Sequence, residues 1–444
     1  MREEIIAAVK AAGVVGAGGA GFPTYVKINA GVDTVIVNGA ECEPLLRAHQ
    51  LLMDTESGKL LIGLKAAMLA TGARRGVIGL KRKYEAAADK LQAELKQAEE
   101  QEIALFFLAD IYPAGDEQVL VHEVTGRIVP EGGIPLHVGV VVANVETLIN
   151  IAEALTGKPV TEKYVTVTGA VSKPATFKAP IGMAIRELIE LAGGATVRDY
   201  AVIDGGPLMG RLTTVDQPVT KTTGGIIVLP AEHSLVSQKN MPWPVVANRA
   251  KAVCCNCRAC TDVCPRYLLG HSLEPHRIMQ ALGRGQCNES DVVTQAFLCC
   301  ECGACDTFGC TMGLSPRRVN AELKRQFGQA GIKNQHNVKP HYPRTTRQYR
   351  LIPAKRLLYR LGLEPYDGNA PLVTNPVTTQ AVRILLSQHI GIPAQPIVRV
   401  GAMVNKGDLI AVIPEGAVVG CNLHASISGQ VSVVDDAITI QAMS

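Results

Sequence analysis

Eleven of the thirteen cysteines in this 444-residue chain fall between residues 254 and 310. Cys254, Cys257, Cys260 and Cys264 follow the spacing C-x2-C-x2-C-x3-C, and Pro265 comes next. That run wraps a [4Fe–4S] cubane corner by corner, and in two-cluster folds its fourth cysteine serves the other cluster. A second set, Cys299, Cys302, Cys305 and Cys310, has one extra residue before its last member, with Thr311 where proline is usual. The crossed scheme gives Cys254, Cys257, Cys260 and Cys310 to one cluster and Cys299, Cys302, Cys305 and Cys264 to the other. Structural zinc is the competing chemistry, but it typically uses paired C-x2-C knuckles with longer spacers. Cys42, Cys255, Cys287, Cys300 and Cys421 remain, and Cys255 and Cys300 read as thiols packed beside the clusters.

A second chemical feature is the run Gly13 to Thr24, too rich in glycine for a helix or strand. Consecutive glycines let backbone N–H groups approach a phosphate or a flat ring without Cβ obstruction. No strand leads into the run and no Gly-Lys-Ser/Thr closes it, so neither common nucleotide fingerprint applies.

The elements that must position these residues fall into several modules. The length suggests about three domains, each large enough to bury a core. Hydrophobic residues are 47% and charged residues 19%, which excludes wholesale disorder. A net charge of +4 and 4% aromatics argue against a nucleic-acid binder. No run of about 18 apolar residues predicts a membrane span, and the start Met1-Arg2-Glu3-Glu4 does not resemble a signal peptide. Clustered thiols then imply a reducing compartment.

Residues 1–158 read as an α/β module, with a helix at Glu3–Ala12. Strands are expected at Thr34–Val37, Gly76–Leu80 and Ile103–Leu108, and helices at Glu56–Thr71 and Lys83–Glu100. Lys90 with Glu94, and Lys96 with Glu100, have i,i+4 spacing on that last helix. Residues 159–240 read as a small α+β module of β-grasp type, with strands at Tyr164–Thr168, Tyr200–Ile203 and Ile226–Leu229 and a helix at Ile181–Ala192. The cysteine window occupies 246–330. Residues 331–375 read as a basic linker, because eight Lys/Arg and no acid lie between Gly331 and Arg360. Its expected state is a solvated segment wrapped over acidic surface. Residues 376–444 carry closely spaced turn signals and read as a small all-β unit.

With these residues in view, Gly18-Gly19-Ala20-Gly21-Phe22-Pro23-Thr24 followed by Lys27 resembles the flavin loop of the NADH-oxidising subunit of respiratory complex I and of RnfC-type subunits. Asn38 to Pro44, Tyr112 to Glu117 and Ala143 to Leu148 resemble the next three flavin motifs, in order. Gly205 to Gly210 resembles the soluble-ligand-binding β-grasp module, and Ser387 to Gly429 resembles the barrel-sandwich hybrid that RnfC-type proteins have at the N-terminus. Its C-terminal place here is similar to the cobalamin (corrin) reductases of propanediol-utilisation microcompartments. The implied fold class is multidomain α/β and α+β. It comprises a Rossmann-like FMN/NADH domain, the β-grasp module, a ferredoxin-like helical domain with two clusters, and a barrel-sandwich hybrid. The hairpin His424 to Gly429 lacks a lysine to modify, which disfavours a swinging arm.

The resemblance implies residue roles. Gly18, Gly19 and Gly21 would line FMN and NADH, with Phe22 packed nearby and Lys27 on the FMN. Asn38 and Glu41 would hydrogen-bond the flavin, and Gly115, Asp116, Asn144 and Thr147 would complete the cradle. Glu43 and Glu117 would face the nicotinamide nucleotide. Ala40 stands where the complex I protein has Asp, and Asp116 where it has Glu.

The implied activity is electron transfer from NADH through FMN and two [4Fe–4S] clusters to cobalamin, from cob(III)alamin toward cob(I)alamin, serving a diol dehydratase. An adenosyltransferase and a microcompartment shell protein are the implied partners, in the cytoplasm within or at the shell. No base-off cobalamin signature Asp-x-His-x-x-Gly occurs, and His336 and His341 read as loop histidines. The alternatives are an RnfC-type input subunit of a membrane ion pump and a non-enzymatic redox conduit or scaffold in a shell.

Overall fold

A computed structural model of the chain describes residues 1–285 and 290–443. Cys287 therefore lies outside the described residues. The first module is a four-stranded parallel sheet in the order Ile103–Leu108, Arg75–Lys81, Thr34–Gly39, Val140–Asn144. The long helix Ser57–Thr71 and the helix Val145–Ala154 cover one face, so close that a Cβ on Gly63 would collide with the Leu148 carbonyl. Helix Glu117–Thr125 covers the other, where Leu120 and Val121 pack on Ile36, Val77 and Val142. Strands covered on both faces explain the nearly continuous apolar runs.

The strand order reverses between Thr34–Gly39 and Val140–Asn144. In such sheets the crevice beyond the carboxyl ends at this point receives the ligand. Asn38 and Asn144 are register partners at those two ends.

The second module is a five-stranded mixed sheet in the order Ala175–Pro180, Glu162–Gly169, Gly225–Pro230, Tyr200–Asp204, Arg211–Thr213. The expected helix at Ile181–Ala192 is confined to Ile185–Leu191. Gly182 has φ +95°, and a Cβ there would meet Val382 and Arg383, so a tight turn precedes the helix. The helix expected to reach Glu100 ends at Gln97, and Glu99 has φ +47°. Lys90 does meet Glu94 at 3.8 Å, but Glu100 pairs with Lys65 rather than Lys96.

The cysteine window is helical, bounded by Trp243–Val253 and Pro316–Gln329. The basic segment after it is not a free linker. The Val338 carbonyl accepts from Glu131 N at 2.9 Å, and Arg344 N donates to the Leu268 carbonyl at 2.9 Å. Arg347 pairs with Glu123. Ile352–Pro353 then adds an antiparallel partner to Ile111–Tyr112. Helix Ala354–Arg360 buries Leu357 and Leu358 beside Leu45, Tyr112 and Leu208. The segment is a strap tying the cluster module to the α/β module.

The C-terminal unit has a four-stranded and a three-stranded sheet. Its Val382, Ile384, Ile410 and Ile440 belong to the same continuous hydrophobic cluster as Leu60, Leu64 and Leu148 of the α/β module. It is docked, not tethered.

Candidate functional site

The glycine loop is held at its edges and open in its middle. Ala17 N donates to Thr147 Oγ1 at 2.9 Å, and Gly16 N to the Phe22 carbonyl at 2.9 Å. Gly18, Gly19 and Ala20 are exposed, and no heavy atom lies within 4 Å of where a Gly19 Cβ would be. A Cβ on Gly18 would meet Asn144 Nδ2 at 2.8 Å. Among the described residues, no protein acceptor faces the N–H groups of Gly18 to Gly21. Unpaired N–H groups on an open loop beside Asn144, at the sheet switch point, fit an anionic, planar cofactor such as FMN. Gly21 is different: a Cβ there would strike Thr222 Cγ2, the Gln388 carbonyl and His389 Cα. The β-grasp and the barrel both close on this end of the loop.

Beneath that closure, Lys221 is 3% exposed. Its Nζ donates to the Gly13 carbonyl at 2.6 Å and the Asn422 carbonyl at 2.9 Å, with Cys421 Sγ at 3.3 Å. One ammonium thus joins three modules. Nothing in the local sequence marks it, since its partners lie some 200 residues away.

The remaining flavin-motif residues are engaged by protein. Lys27 is half-buried and pairs with Glu117 at 2.9 Å. Asn38 Nδ2 donates to the Gly115 carbonyl at 2.8 Å, joining the second and third motifs. Asn144 Oδ1 accepts from Glu146 N and caps the helix behind it. The Glu41 carboxylate accepts from His49 N at 2.8 Å and Gln50 N at 3.3 Å, capping the helix Ala48–Thr55.

Glu43 is turned away from the loop. It accepts from Leu208 N at 2.9 Å and Met209 N at 3.0 Å, and a Cβ on Gly206 would overlap its carboxylate. Burial pushes its carboxyl above the ordinary range, against those two N–H groups and Lys239. The loop Gly205 to Gly210, which the sequence pairs with a soluble ligand, here receives Glu43 and leads into the cluster module, where Arg317 donates to the Leu208 carbonyl at 3.2 Å.

Asp116 is also committed. It caps the helix Glu117–Thr125 and takes a two-pronged contact from Arg266, Nη1 to Oδ1 at 2.6 Å and Nη2 to Oδ2 at 3.0 Å. Arg266 lies two residues after Cys264. Tyr112 adds a second link: its hydroxyl donates to the Cys302 carbonyl at 2.5 Å and lies 3.3 Å from Glu43 Oε1.

The two three-cysteine loops share one backbone pattern. Asn256 and Arg258 have φ of 57° and 66°, and Glu301 and Gly303 have φ of 57° and 76°. These are the second and fourth residues after each first cysteine. Left-handed residues turn successive N–H groups inward, a device suited to sulfur anions. Glu301 N approaches Cys299 Sγ at 3.3 Å, and Leu314 N approaches Cys310 Sγ at 3.3 Å.

The extra residue before Cys310 is absorbed by a π-turn over Cys305–Gly309, closed by Cys310 N on the Cys305 carbonyl at 2.8 Å. A Cβ on Gly309 would lie 3.0 Å from Cys260 Cα, so the two sets approach closely there. Burial pushes the Cys260 thiol up to about 12, and the thiols of Cys310, Cys254 and Cys257 add to it. Burial also raises the Cys264 thiol, with Cys300 and Cys299 adding. Burial raises Cys305, and its thiol neighbours include Cys299 and Cys264. Cys310 of the second set thus lies near Cys260 of the first, and Cys264 of the first near Cys299 and Cys305 of the second. Among the described residues, no three His, Cys, Asp or Glu are gathered tightly enough to hold a single metal ion.

Comparison with known proteins identifies the modules. The Nuo51 FMN-binding domain matches residues 9–153, the SLBB domain 164–212, the 4Fe-4S dicluster domain 253–315 and the RnfC barrel sandwich hybrid domain 367–443. The chain is 46% identical over 442 residues to cobalamin reductase PduS of Salmonella typhimurium, covering 99% of this chain and 96% of the relative. The chain belongs to the PduS cobalamin reductase family. The PduS of Citrobacter freundii is also 46% identical, over 97% of this chain and 95% of the relative. One component of the Na(+)-translocating ferredoxin:NAD(+) oxidoreductase complex of Acetobacterium woodii is 38% identical, over 58% of this chain and 56% of its own. The structure of an NAD+-reducing [NiFe]-hydrogenase in the H2-reduced state shares the fold with TM-score 0.50 and 22% identity, covering 76% of this chain and 64% of that one. Like its family, the chain is an oxidoreductase with an FMN-binding domain and a two-cluster [4Fe–4S] domain. Among the described residues, no helix is long and apolar enough to cross a membrane.

Proposed function

We propose that this chain carries electrons from NADH through FMN and two [4Fe–4S] clusters to cobalamin, returning the corrinoid of a diol dehydratase to service. The observation that carries this reading is the pair of links between the third flavin motif and one cysteine set. Arg266 holds Asp116, and Tyr112 holds the Cys302 backbone. FMN exchanges electron pairs with a nicotinamide and single electrons with iron–sulfur clusters. The Gly18 to Gly21 N–H groups and Lys27 would hold it, with Asn38 and Asn144 at its base. Glu43 and Asp116 act as positioning residues, because protein donors already occupy their oxygens.

Cys299, Cys302, Cys305 and Cys264 would hold an inner cluster against the flavin module. Cys254, Cys257, Cys260 and Cys310 would hold an outer one. Cys255 and Cys300 would pack beside them. An adenosyltransferase and a microcompartment shell protein are the proposed partners, at or within such a shell.

The test is an anaerobic assay on reconstituted protein, with iron and flavin counted in the same sample. NADH should be oxidised in an FMN-dependent way, and cob(II)alamin then cob(I)alamin spectra should follow. Absence of FMN-dependent oxidation overturns the enzymatic reading and leaves the conduit or scaffold. Oxidation without corrinoid reduction overturns the acceptor. The RnfC-type reading rests on relatives that match only 58% and 61% of this chain.

A further inference from the structure

Beside Cys310 the cluster module opens into a cleft of about 430 Å³. Its walls are the helices Ser234–Asn240 and Trp243–Val253, the turn Cys305–Gly309 and the end of helix Ala354–Arg360. Arg249 and Arg360 line it directly. A smaller hollow shares Leu235, Gln238, Asp306 and Thr307 with it and adds Lys239, Arg317 and Arg318.

Five cations therefore surround one carboxylate, Asp306, which is 3.6 Å from Arg317. Among the described residues the other four make no ion pair within 4 Å, although Lys239 feels Glu43 and Asp306 and Arg318 feels Asp306, and their hydrogen bonds go to neutral groups. Arg249 reaches the Met241 sulfur at 3.7 Å, and Arg318 donates to the Gln238 carbonyl at 3.2 Å. Arg360 donates to the Thr307 carbonyl at 3.3 Å, and Lys239 to the Gly210 carbonyl at 2.6 Å. Uncompensated cations around a concave opening focus a positive potential into it. Guanidinium groups favour phosphate, which they bind through paired hydrogen bonds. The volume suits a small molecule or part of one, not a flat protein face.

We propose that this cleft is the electron exit, and that it takes a phosphate-bearing acceptor, with the phosphate against Arg249 and Arg360 and with Arg318 of the adjoining hollow adding positive charge. The proposal rests on the reading above, with Cys310 on the outer cluster and cobalamin as acceptor. A corrin ring exceeds the cleft, but cobalamin carries one phosphodiester on its nucleotide arm. That group would dock while the ring stays at the mouth. Each turnover moves one electron: the outer cluster is oxidised by one, the cobalt is reduced by one, and no bond in the chain forms or breaks. NADH supplies the electrons.

The test uses holoprotein bearing Arg249→Gln, Arg318→Gln and Arg360→Gln, with the exposed single change Arg360→Gln as a variant less disruptive to folding. Iron content, flavin content and NADH-dependent flavin bleaching should match the wild type. KM for cobalamin should rise about ten-fold or more in the triple variant, by the loss of charge-assisted contacts. KM for cobinamide, the same ring without the phosphodiester, should change less than about two-fold. Equal shifts for both corrinoids, or none, overturn the proposal.

A second arm does not depend on the corrinoid. Ferricyanide, an anion, should be reduced more slowly, and a viologen cation at least as fast as in the wild type. Turnover of a Cys257→Ser protein is subtracted as the background that bypasses the outer cluster. An unchanged ferricyanide-to-viologen ratio overturns the exit. If the wild type reduces neither corrinoid, the acceptor reading falls, and the ferricyanide-to-viologen ratio alone decides the cleft.

Discussion

The loops Cys254 to Cys260 and Cys299 to Cys305 have the same spacing and the same two left-handed positions, yet opposite surroundings. In the first loop Cys255 and Cys257 are exposed and Cys260 is buried, whereas in the second both Cys302 and Cys305 are buried and no cysteine is exposed. The second loop touches the flavin module through Tyr112 and the β-grasp through Leu208, near Gly303. The first faces solvent and the basic strap, where Arg350 approaches Asp262 at 3.8 Å. Local sequence builds two loops of one pattern, and in the path proposed above their neighbours would make the second an inlet and the first an outlet.

The sharpest way to break this comparison is to remove one thiol from each loop. Cys302→Ser should lower NADH-driven reduction of any cluster about 100-fold or more, because the inner cluster precedes the outer. Cys257→Ser should lose a similar share of iron yet leave the inner cluster reducible by NADH. Iron counts and low-temperature EPR of the NADH-reduced proteins check both, and equal behaviour would erase the inlet–outlet distinction.

Next in size is the buried pair Arg266–Asp116, each side chain only 10% exposed. Arg266→Met strands a buried carboxylate and should cost about 3–5 kcal/mol in denaturant unfolding. Adding Asp116→Asn should recover part of that loss. Breaking the exposed pair Arg186–Asp216 should leave the denaturant midpoint essentially unchanged, because solvent screens it.

Lys239, in the hollow beside the inner loop, gives a pH signature. Burial, with Arg317 adding, lowers its pKa from 10.5 to about 8. The unfolded chain therefore holds a proton that the folded chain has lost between those values. Its contribution is complete above 10.5 and is lost as pH falls through about 8. Relative to Lys239→Met, the wild type should gain on the order of 2–3 kcal/mol from pH 7.5 to 10, read as the urea midpoint at each pH.

Smallest is Tyr112→Phe. It deletes one hydroxyl that donates to the Cys302 carbonyl, and should cost about 1–2 kcal/mol. It should slow reduction of the inner cluster while leaving flavin bleaching unchanged, as stopped-flow spectra would show.

Much of the first module was legible in the sequence. Its strands Thr34–Gly39, Arg75–Lys81 and Ile103–Leu108 alternate with helices, and short apolar runs between turn residues mark them. The glycine loop was visible as a break in that pattern. Glu43, Asp116 and Glu41 were legible as motif members but not in their employment, because the donors that engage Glu43 and Asp116 lie about 150 residues away or more. The strap misled in a similar way. Its composition is that of a solvated linker, and its anchors, among them Arg347 on Glu123 and Ile352 paired with Tyr112, lie far away in sequence. Arg258 and Glu301 gave no signal, since left-handed backbone is announced by glycine or asparagine and neither stands at those two positions.

What the sequence alone determined is the set of cups and cradles: two cysteine runs, a glycine loop, four motifs in order. Those features are fixed by covalent spacing over a few residues. What the tertiary structure decided is their order in space. Arg266 on Asp116, Tyr112 on the Cys302 backbone and Lys221 among three modules all depend on chain segments brought together from far apart. Such partners are chosen by burial, because a buried charge or hydroxyl must find a complement. Among the described residues the same rule leaves Arg249 and Arg360 at the cleft without an ion pair, and there the proposed anion would supply the complement.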